Sequence, residues 1–354
     1  MQSNKWNKQS LTVLKLSMTA AFLGSILSTY QAYSTSQIEI RNVFNGIIDG
    51  FLIVFLLSSY TLILTEFLLK KYFKRLNFTT NVLLHSLAYV LLILIGRATG
   101  RYIMEYDHFI LFPVKGEIER LHFMQALTMA IVGSVLFHFF LQVNHLLGPR
   151  ILTSFITGRY HTPRAEERII LFLDIASSTR IAEELGDEKF LRFLDSFFNE
   201  FTEPILETGA EIYKYVGDEI ILTWPKKEGL NNSNCIKLFT LLDKQLTDRQ
   251  NFYKSEYQNI PEYRAGMHIG LVMTGEMGDL KQEIVHVGDV MNTAARLAGH
   301  CRITNDRLIV SETLSSQLDL PLEWKTKPLG PTPLRGKKEA MEVVALINES
   351  GAKV

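Results

Sequence analysis

Two carboxylates stand where a divalent cation would be held. Asp174 closes the run Ile169-Ile170-Leu171-Phe172-Leu173-Asp174-Ile175, and Asp218 sits in Lys214-Tyr215-Val216-Gly217-Asp218-Glu219-Ile220-Ile221-Leu222. Both lie beside short apolar stretches that read as buried strands. Mg²⁺ takes hard oxygen ligands, usually one or two carboxylates plus substrate phosphates. A pair of such residues on neighbouring strands points to phosphoryl or nucleotidyl transfer. Each Asp also has a bland reading as a turn or capping residue. Asp174 precedes Ser177-Ser178-Thr179, and Gly217-Asp218 is a turn pair.

A third segment, Gly288-Asp289-Val290-Met291-Asn292-Thr293-Ala294-Ala295-Arg296-Leu297, reads as the start of a helix. Asn292 and Arg296 are then i and i+4 and project from one face. Asn brings amide hydrogen bonds, and Arg brings a fixed fork of donors suited to phosphate. Such a pair alone is ordinarily a solvated helix face.

Four motifs occur in order: Phe172-Leu173-Asp174-Ile175-Ala176-Ser177-Ser178-Thr179, Lys214-Tyr215-Val216-Gly217-Asp218, His268-Ile269-Gly270-Leu271-Val272 with Gly275 and Gly278, and Asn292-Thr293-Ala294-Ala295-Arg296. Through them the chain from about Arg168 to Ile347 resembles the class III adenylate and guanylate cyclase catalytic domain. The resemblance implies that Asp174 and Asp218 bind two Mg²⁺ or Mn²⁺ ions, with the Ile175 carbonyl as a further ligand. The ribose 3′-hydroxyl would attack the α-phosphate in line, releasing pyrophosphate and a 3′,5′-cyclic nucleotide. Arg296 would stabilise charge on the α-phosphate, Asn292 would orient the ribose, and Arg335 would meet the triphosphate. Positioning and electrostatics carry such a reaction.

The family builds its site between two catalytic domains. One supplies the Asp pair and the other supplies Lys, Asn and Arg, so this chain is expected to act as a homodimer with two equivalent sites. The implied catalytic fold is an α/β sandwich of ferredoxin-like βαββαβ type. The pattern gives a strand at 169–175, a helix at about 179–207, a hairpin at about 211–224 and a helix at about 233–254. A strand at about 263–272, the helix from Asp289 and shorter strands to about 347 follow.

The base subsite departs from the family. Lys214 holds the position from which an amine donates to adenine N1. The position of the usual carboxylate, which accepts from N6, is Val285, with His286 beside it and Glu283 two residues earlier. Lys214 opposes guanine's N1–H, and unpaired buried polar groups penalise a substrate strongly. ATP is therefore the expected substrate, GTP the alternative. A catalytically inactive receptor and a diguanylate cyclase are the competing classes. The metal pair and the Arg are all present, which argues against the first. The second leaves the Asn292/Arg296 helix unexplained.

At 354 residues the chain is long enough for two domains, and its net charge of zero gives no sign of nucleic-acid binding. Cys235 and Cys301 show no pairing or metal spacing, which suits a reducing cytosol. Residues 1–147 read as a transmembrane domain of four helices, at about 11–33, 46–68, 82–104 and 123–147. A linker at 148–167 and the catalytic domain at 168–347 follow. The first span also admits a signal-peptide reading, without a clear cleavage site.

Lys5, Lys8, Lys70, Lys71, Lys74, Arg75, Arg150, Arg159 and Arg164 flank the spans on one side. The positive-inside rule then puts both termini and the catalytic domain on the cytoplasmic side of a plasma (inner) membrane. Asp49, Glu66, His85, Arg97 and His138 fall in or beside apolar segments, where polar residues are costly. His85, His138 and His145 read as interfacial or interhelical hydrogen-bonding groups, with haem or a metal between helices as the alternative.

Overall fold

The structure is a computed structural model. It describes residues 77–104, 151–333 and 339–349, with scattered positions between 48 and 60 and between 128 and 143. The chain forms two compact units, Met1–Leu152 and Thr153–Val354.

The second unit is built on a mixed sheet of eight strands: β1 (Arg164–Ile175), β2 (Glu211–Val216), β3 (Glu219–Pro225), β4 (Tyr263–Met277), β5 (Glu283–Val287), β6 (Leu308–Ser311), β7 (Trp324–Thr332) and β8 (Met341–Asn348). The order is β2-β3-β1-β4-β6-β8-β7, and β5 pairs with β4. β1 lies antiparallel between β3 and β4, and β2 is antiparallel to β3. The stretch β2-β3-β1-β4, with its helical crossovers, is the βαββαβ arrangement. β6 extends it parallel to β4, and β8 and β7 follow antiparallel.

β1 is central because its sequence can be covered on both faces. Ile169 through Leu173 are all buried, as expected for a continuous apolar strand. Alternate residues split between two cores. Ile169, Leu171, Leu173 and Ile175 join the main core with Phe193, Phe197, Ile236, Phe239 and Leu242. Ile170 and Phe172 pack with Val290, Ala294 and Ala298 of the helix Asp289–Thr304. Asp174 is in phase with Ile170 and Phe172, on the face that this helix covers.

The expected helix over 179–207 is instead three: Ser178–Leu185, Asp187–Asn199 and Thr202–Thr208. Gly186, at φ +75°, makes the first break, in a conformation L-residues avoid. The region expected as one helix at 233–254 likewise divides into Asn234–Asp248 and Gln250–Tyr257. Both revisions lie on the main-core face and leave the sheet order untouched.

In the first unit the helix Phe78–Met104 contains a stretch, Phe78–Gly96, long and apolar enough to cross a bilayer. It corresponds to the third expected span. Its pattern is inverted relative to a soluble helix. Leu83, Leu84, Leu87, Leu91 and Ile95 are exposed, whereas His85, Ser86 and Tyr89 are buried. The Tyr60 hydroxyl lies 2.8 Å from His85 Nδ1. A Cβ on Gly96 would come within 2.9 Å of Ile53 Cγ1, so two backbones approach closely there. The span expected at 11–33 lies outside the described residues. Those at 46–68 and 123–147 are described only at scattered helical positions.

The seating of the helix Asp289–Thr304 depends on Gly266 of β4. A Cβ there would stand 2.0 Å from Ala298 N and 2.5 Å from Ala294 O, both backbone atoms. Gly266→Ala is expected to lift the helix from the sheet and cost about 3 kcal/mol, as overpacking does, read as a lower urea midpoint. An unchanged midpoint would mean that the helix is not held by this contact.

Candidate active site

The end of β1 gathers acidic groups from two strands. Asp174 pairs in register with Glu219 of β3 and with Arg264 of β4. Residues directly opposite across strands share a face. Asp218 lies in the turn between β2 and β3, where Gly217 takes φ +61°. Ser177, at φ +58°, turns the chain after Ile175 into the helix Ser178–Leu185. The strand therefore stops with Asp174 at the rim.

Asp174 is 9% exposed. Its Oδ2 accepts a hydrogen bond from Arg302 Nη2 at 2.6 Å. Its Oδ1 is buried and has no hydrogen-bond partner, an arrangement that normally requires an unplaced water or ion. Burial pushes the Glu219 carboxyl up to about 7, and the negative charges of Asp174 and Asp218 add to the effect. A carboxyl raised by burial and two acidic neighbours, beside a buried carboxylate oxygen lacking a donor, fits a hard divalent cation. No cluster of three or more His, Cys, Asp or Glu side chains at metal-holding spacing occurs among the described residues. A Mg²⁺ site completed by a backbone carbonyl, water and substrate phosphates does not require one.

A second polar group forms where β2 meets β5. Lys214 Nζ lies 3.1 Å from Glu283 Oε2, and Lys281 Nζ lies 2.5 Å from Glu283 Oε1. Lys281 and Lys214 together hold the Glu283 carboxyl below its usual range. Val285 follows on the same strand and pairs with Gly275. His286 is committed elsewhere. Its ring stacks on Tyr213 at 4.8 Å, and its Nδ1 lies 2.9 Å from Thr274 Oγ1. Burial draws its pKa down to about 4, with the Arg168 charge acting in the same direction. The structure thus pairs Lys214 with Glu283, two residues before the position expected to receive the adenine amino group.

Asn292 and Arg296 lie on the helix Asp289–Thr304, as the spacing predicts. The buried seam of that helix runs through Val290, Ala294, Leu297, Ala298 and Cys301. At 100° per residue, Asn292 and Arg296 lie roughly half a turn from the seam. Asn292 is exposed and Arg296 half-buried. They face away from the sheet that carries Asp174 in the same chain. Arg335 lies outside the described residues.

Sequence reasoning missed three of these residues. Glu219 directly follows Asp218, but its closeness to Asp174 depends on strand register. Arg264 is one residue into β4, opposite Asp174. Arg302 is six residues beyond Arg296 on the same helix. The helical spacing puts it on another face, and this was the available signal.

The family model described as the adenylate and guanylate cyclase catalytic domain matches residues 161–348. Adenylate cyclase 2 of Rhizobium meliloti (strain 1021) is 34% identical over 224 residues, covering 63% of this chain and 61% of that protein. The adenylate cyclase of Anabaena cylindrica is 25% identical over 205 residues, covering 56% of this chain and 39% of that protein. The chain thus spans less than two thirds of the length of these curated relatives. The solved structure of a bacterial light-regulated adenylyl cyclase aligns with a TM-score of 0.53 at 23% identity, over 62% of this chain and 65% of that one. That likeness shows the fold.

The raised Glu219 carboxyl has a sign that can be measured. The folded state favours its protonated form, so its ionisation opposes folding as pH rises from the ordinary Glu range through about 7. In EDTA, Glu219→Gln is expected to gain stability over the parent progressively across that window and to hold a constant advantage above it. Thermal unfolding at pH 4.5, 6 and 8 checks this. A pH-independent difference would show that burial and the neighbouring charges do not raise the Glu219 carboxyl.

Proposed function

The chain belongs to the adenylate and guanylate cyclase catalytic-domain family, and on that premise we propose that it converts ATP to 3′,5′-cyclic AMP and pyrophosphate. One observation carries this reading. The buried, unpartnered Oδ1 of Asp174 lies in an acidic group at the rim of the central strand, as a divalent-cation site for a polyphosphate requires. Mg²⁺ or Mn²⁺ held by Asp174, Asp218 and the Ile175 carbonyl would supply positive charge to the triphosphate and to the attacking 3′-oxygen.

The remaining work falls to the chain's own side chains. The O3′–Pα bond forms as the bond from Pα to the pyrophosphate oxygen breaks, and the hydroxyl proton is lost. Arg296 forks onto the α-phosphate, where negative charge builds, and Asn292 holds the ribose so that the 3′-oxygen stays in line. Both residues lie off the seam that packs on the chain's own sheet, which supports a site completed by a second copy of this chain. Arg335 would add a cation on the triphosphate side. Lys214 would donate to adenine N1. Its partner Glu283, rather than Val285, is the carboxylate near that position.

The N-terminal unit is proposed to anchor the enzyme in the bilayer through four helices. The catalytic domain would then lie on the cytoplasmic side, where nucleoside triphosphates are. The support is the outward leucines and inward His85, Ser86 and Tyr89 of the helix Phe78–Met104. That is the distribution expected where lipid is the solvent.

Purified full-length protein given ATP or GTP with Mn²⁺ or Mg²⁺ is expected to form cyclic AMP in excess over cyclic GMP. Asp174→Ala is expected to lower turnover by at least about a thousandfold, because a cation site supplies several kcal/mol of charge stabilisation. Cyclic GMP in excess would overturn the substrate assignment. Near-normal turnover by Asp174→Ala would overturn the site.

A further inference from the structure

We propose that Arg302 is a positioning residue for the cation site: its guanidinium holds Oδ2 of Asp174 so that Oδ1 is presented to the metal. This rests on the reading of Asp174 as a metal ligand. The two oxygens of this carboxylate have different surroundings. Oδ2 receives a charge-assisted hydrogen bond at 2.6 Å from Arg302 Nη2. Oδ1 is sealed from water and receives none. A carboxylate free to rotate about its terminal bond would exchange these positions. One anchored by a cationic donor on a single oxygen cannot. Ligating carboxylates are commonly fixed in this way by a hydrogen bond from a second residue.

The anchor itself is well held. Arg302 lies in the last turn of the helix Asp289–Thr304. Its neighbour Cys301 is fully buried, and Cys301 Sγ lies 3.3 Å from Ala265 O on β4. Leu297 and Ala298 bury the preceding turn, and Gly266 lets the helix backbone sit against the sheet. The Arg302 side chain is nevertheless 62% exposed. A pair so open to water adds little to folding stability. Its consequence is orientation of Asp174, while Asn292 and Arg296 occupy a different face of the same helix. One helix thereby sets a ligand of its own subunit's cation site and carries the phosphate-directed pair on a different face.

There is an opposing possibility with the opposite sign. If Arg302 merely occupied the place of the cation and had to leave, its removal would tighten metal binding. Mn²⁺ titrated into full-length protein holding 3′-deoxy-ATP, which lacks the attacking hydroxyl, separates the two. Free Mn²⁺ is followed by its EPR signal, so no turnover is needed. Arg302→Gln is expected to weaken Mn²⁺ binding about 10- to 100-fold, the usual effect of losing such a partner. Arg302→Lys, which keeps the charge and one donor, is expected to fall between Arg302→Gln and the parent. Unfolding midpoints of both variants should match the parent. With ATP at saturating Mn²⁺, kcat should fall less than the affinity for Mn²⁺.

Equal or tighter Mn²⁺ binding by Arg302→Gln, while Asp174→Asn loses it, would overturn the role of Arg302 and leave the cation site standing. Unchanged binding by Asp174→Asn would overturn both.

Discussion

The rest of the catalytic unit is arranged around the burial of a negative charge at the end of β1. Asp174 is covered by the helix Asp289–Thr304 on one side and lies in register with Glu219 and Arg264 on the neighbouring strands. Charges in such a place are costly unless compensated, and the compensation is incomplete: Glu219 is pushed toward its neutral form. A divalent cation would resolve the conflict. On the proposed reading, the cost of burying these charges and their use in polyphosphate chemistry have the same origin.

On the proposed reading, the helix Asp289–Thr304 converts that constraint into a requirement for two subunits. Its small residues, Ala294 and Ala298, meet Gly266 and bring it close to the sheet. Once seated, its azimuth is fixed. Arg302 reaches the Asp174 carboxylate, and Asn292 and Arg296 lie off the seam that packs on the sheet. A single chain presents the two halves of the proposed chemistry on different sides of one helix. Gly266, two residues along β4 from the partner of Asp174, thus governs the placement of both halves.

The strands were legible in the sequence because their signal is local. The uninterrupted run Ile169–Leu173 reads as a buried strand, and Gly217-Asp218 between two apolar runs marks a hairpin. The helix carrying Asn292 and Arg296 was legible from its spacing. The breaks at Gly186 and after Asn199 were less so, since amphipathic periodicity carries across a single glycine. Of the site's second rank of residues, only Arg302 left a local trace, its helical spacing from Arg296. Glu219 and Arg264 stand opposite Asp174 through strand register, which no local pattern encodes. Glu283 was seen in the sequence, but not its pairing with Lys214. That contact depends on β5 approaching β2, although neither strand is the other's sheet neighbour.

The central claim is that each site takes its cation-binding carboxylates from one subunit and its phosphate-directed pair from the other. Mixing two inactive variants tests it most directly. Asp174→Ala and Arg296→Ala each spoil both sites of a homodimer by different means. In a mixed dimer one site carries both defects and the other carries neither. Co-expressed and purified together, the two are expected to recover cyclic AMP synthesis to roughly a quarter of the parental rate, since about half the dimers are mixed and each has one intact site. Verified mixed dimers that remain inactive would contradict the account.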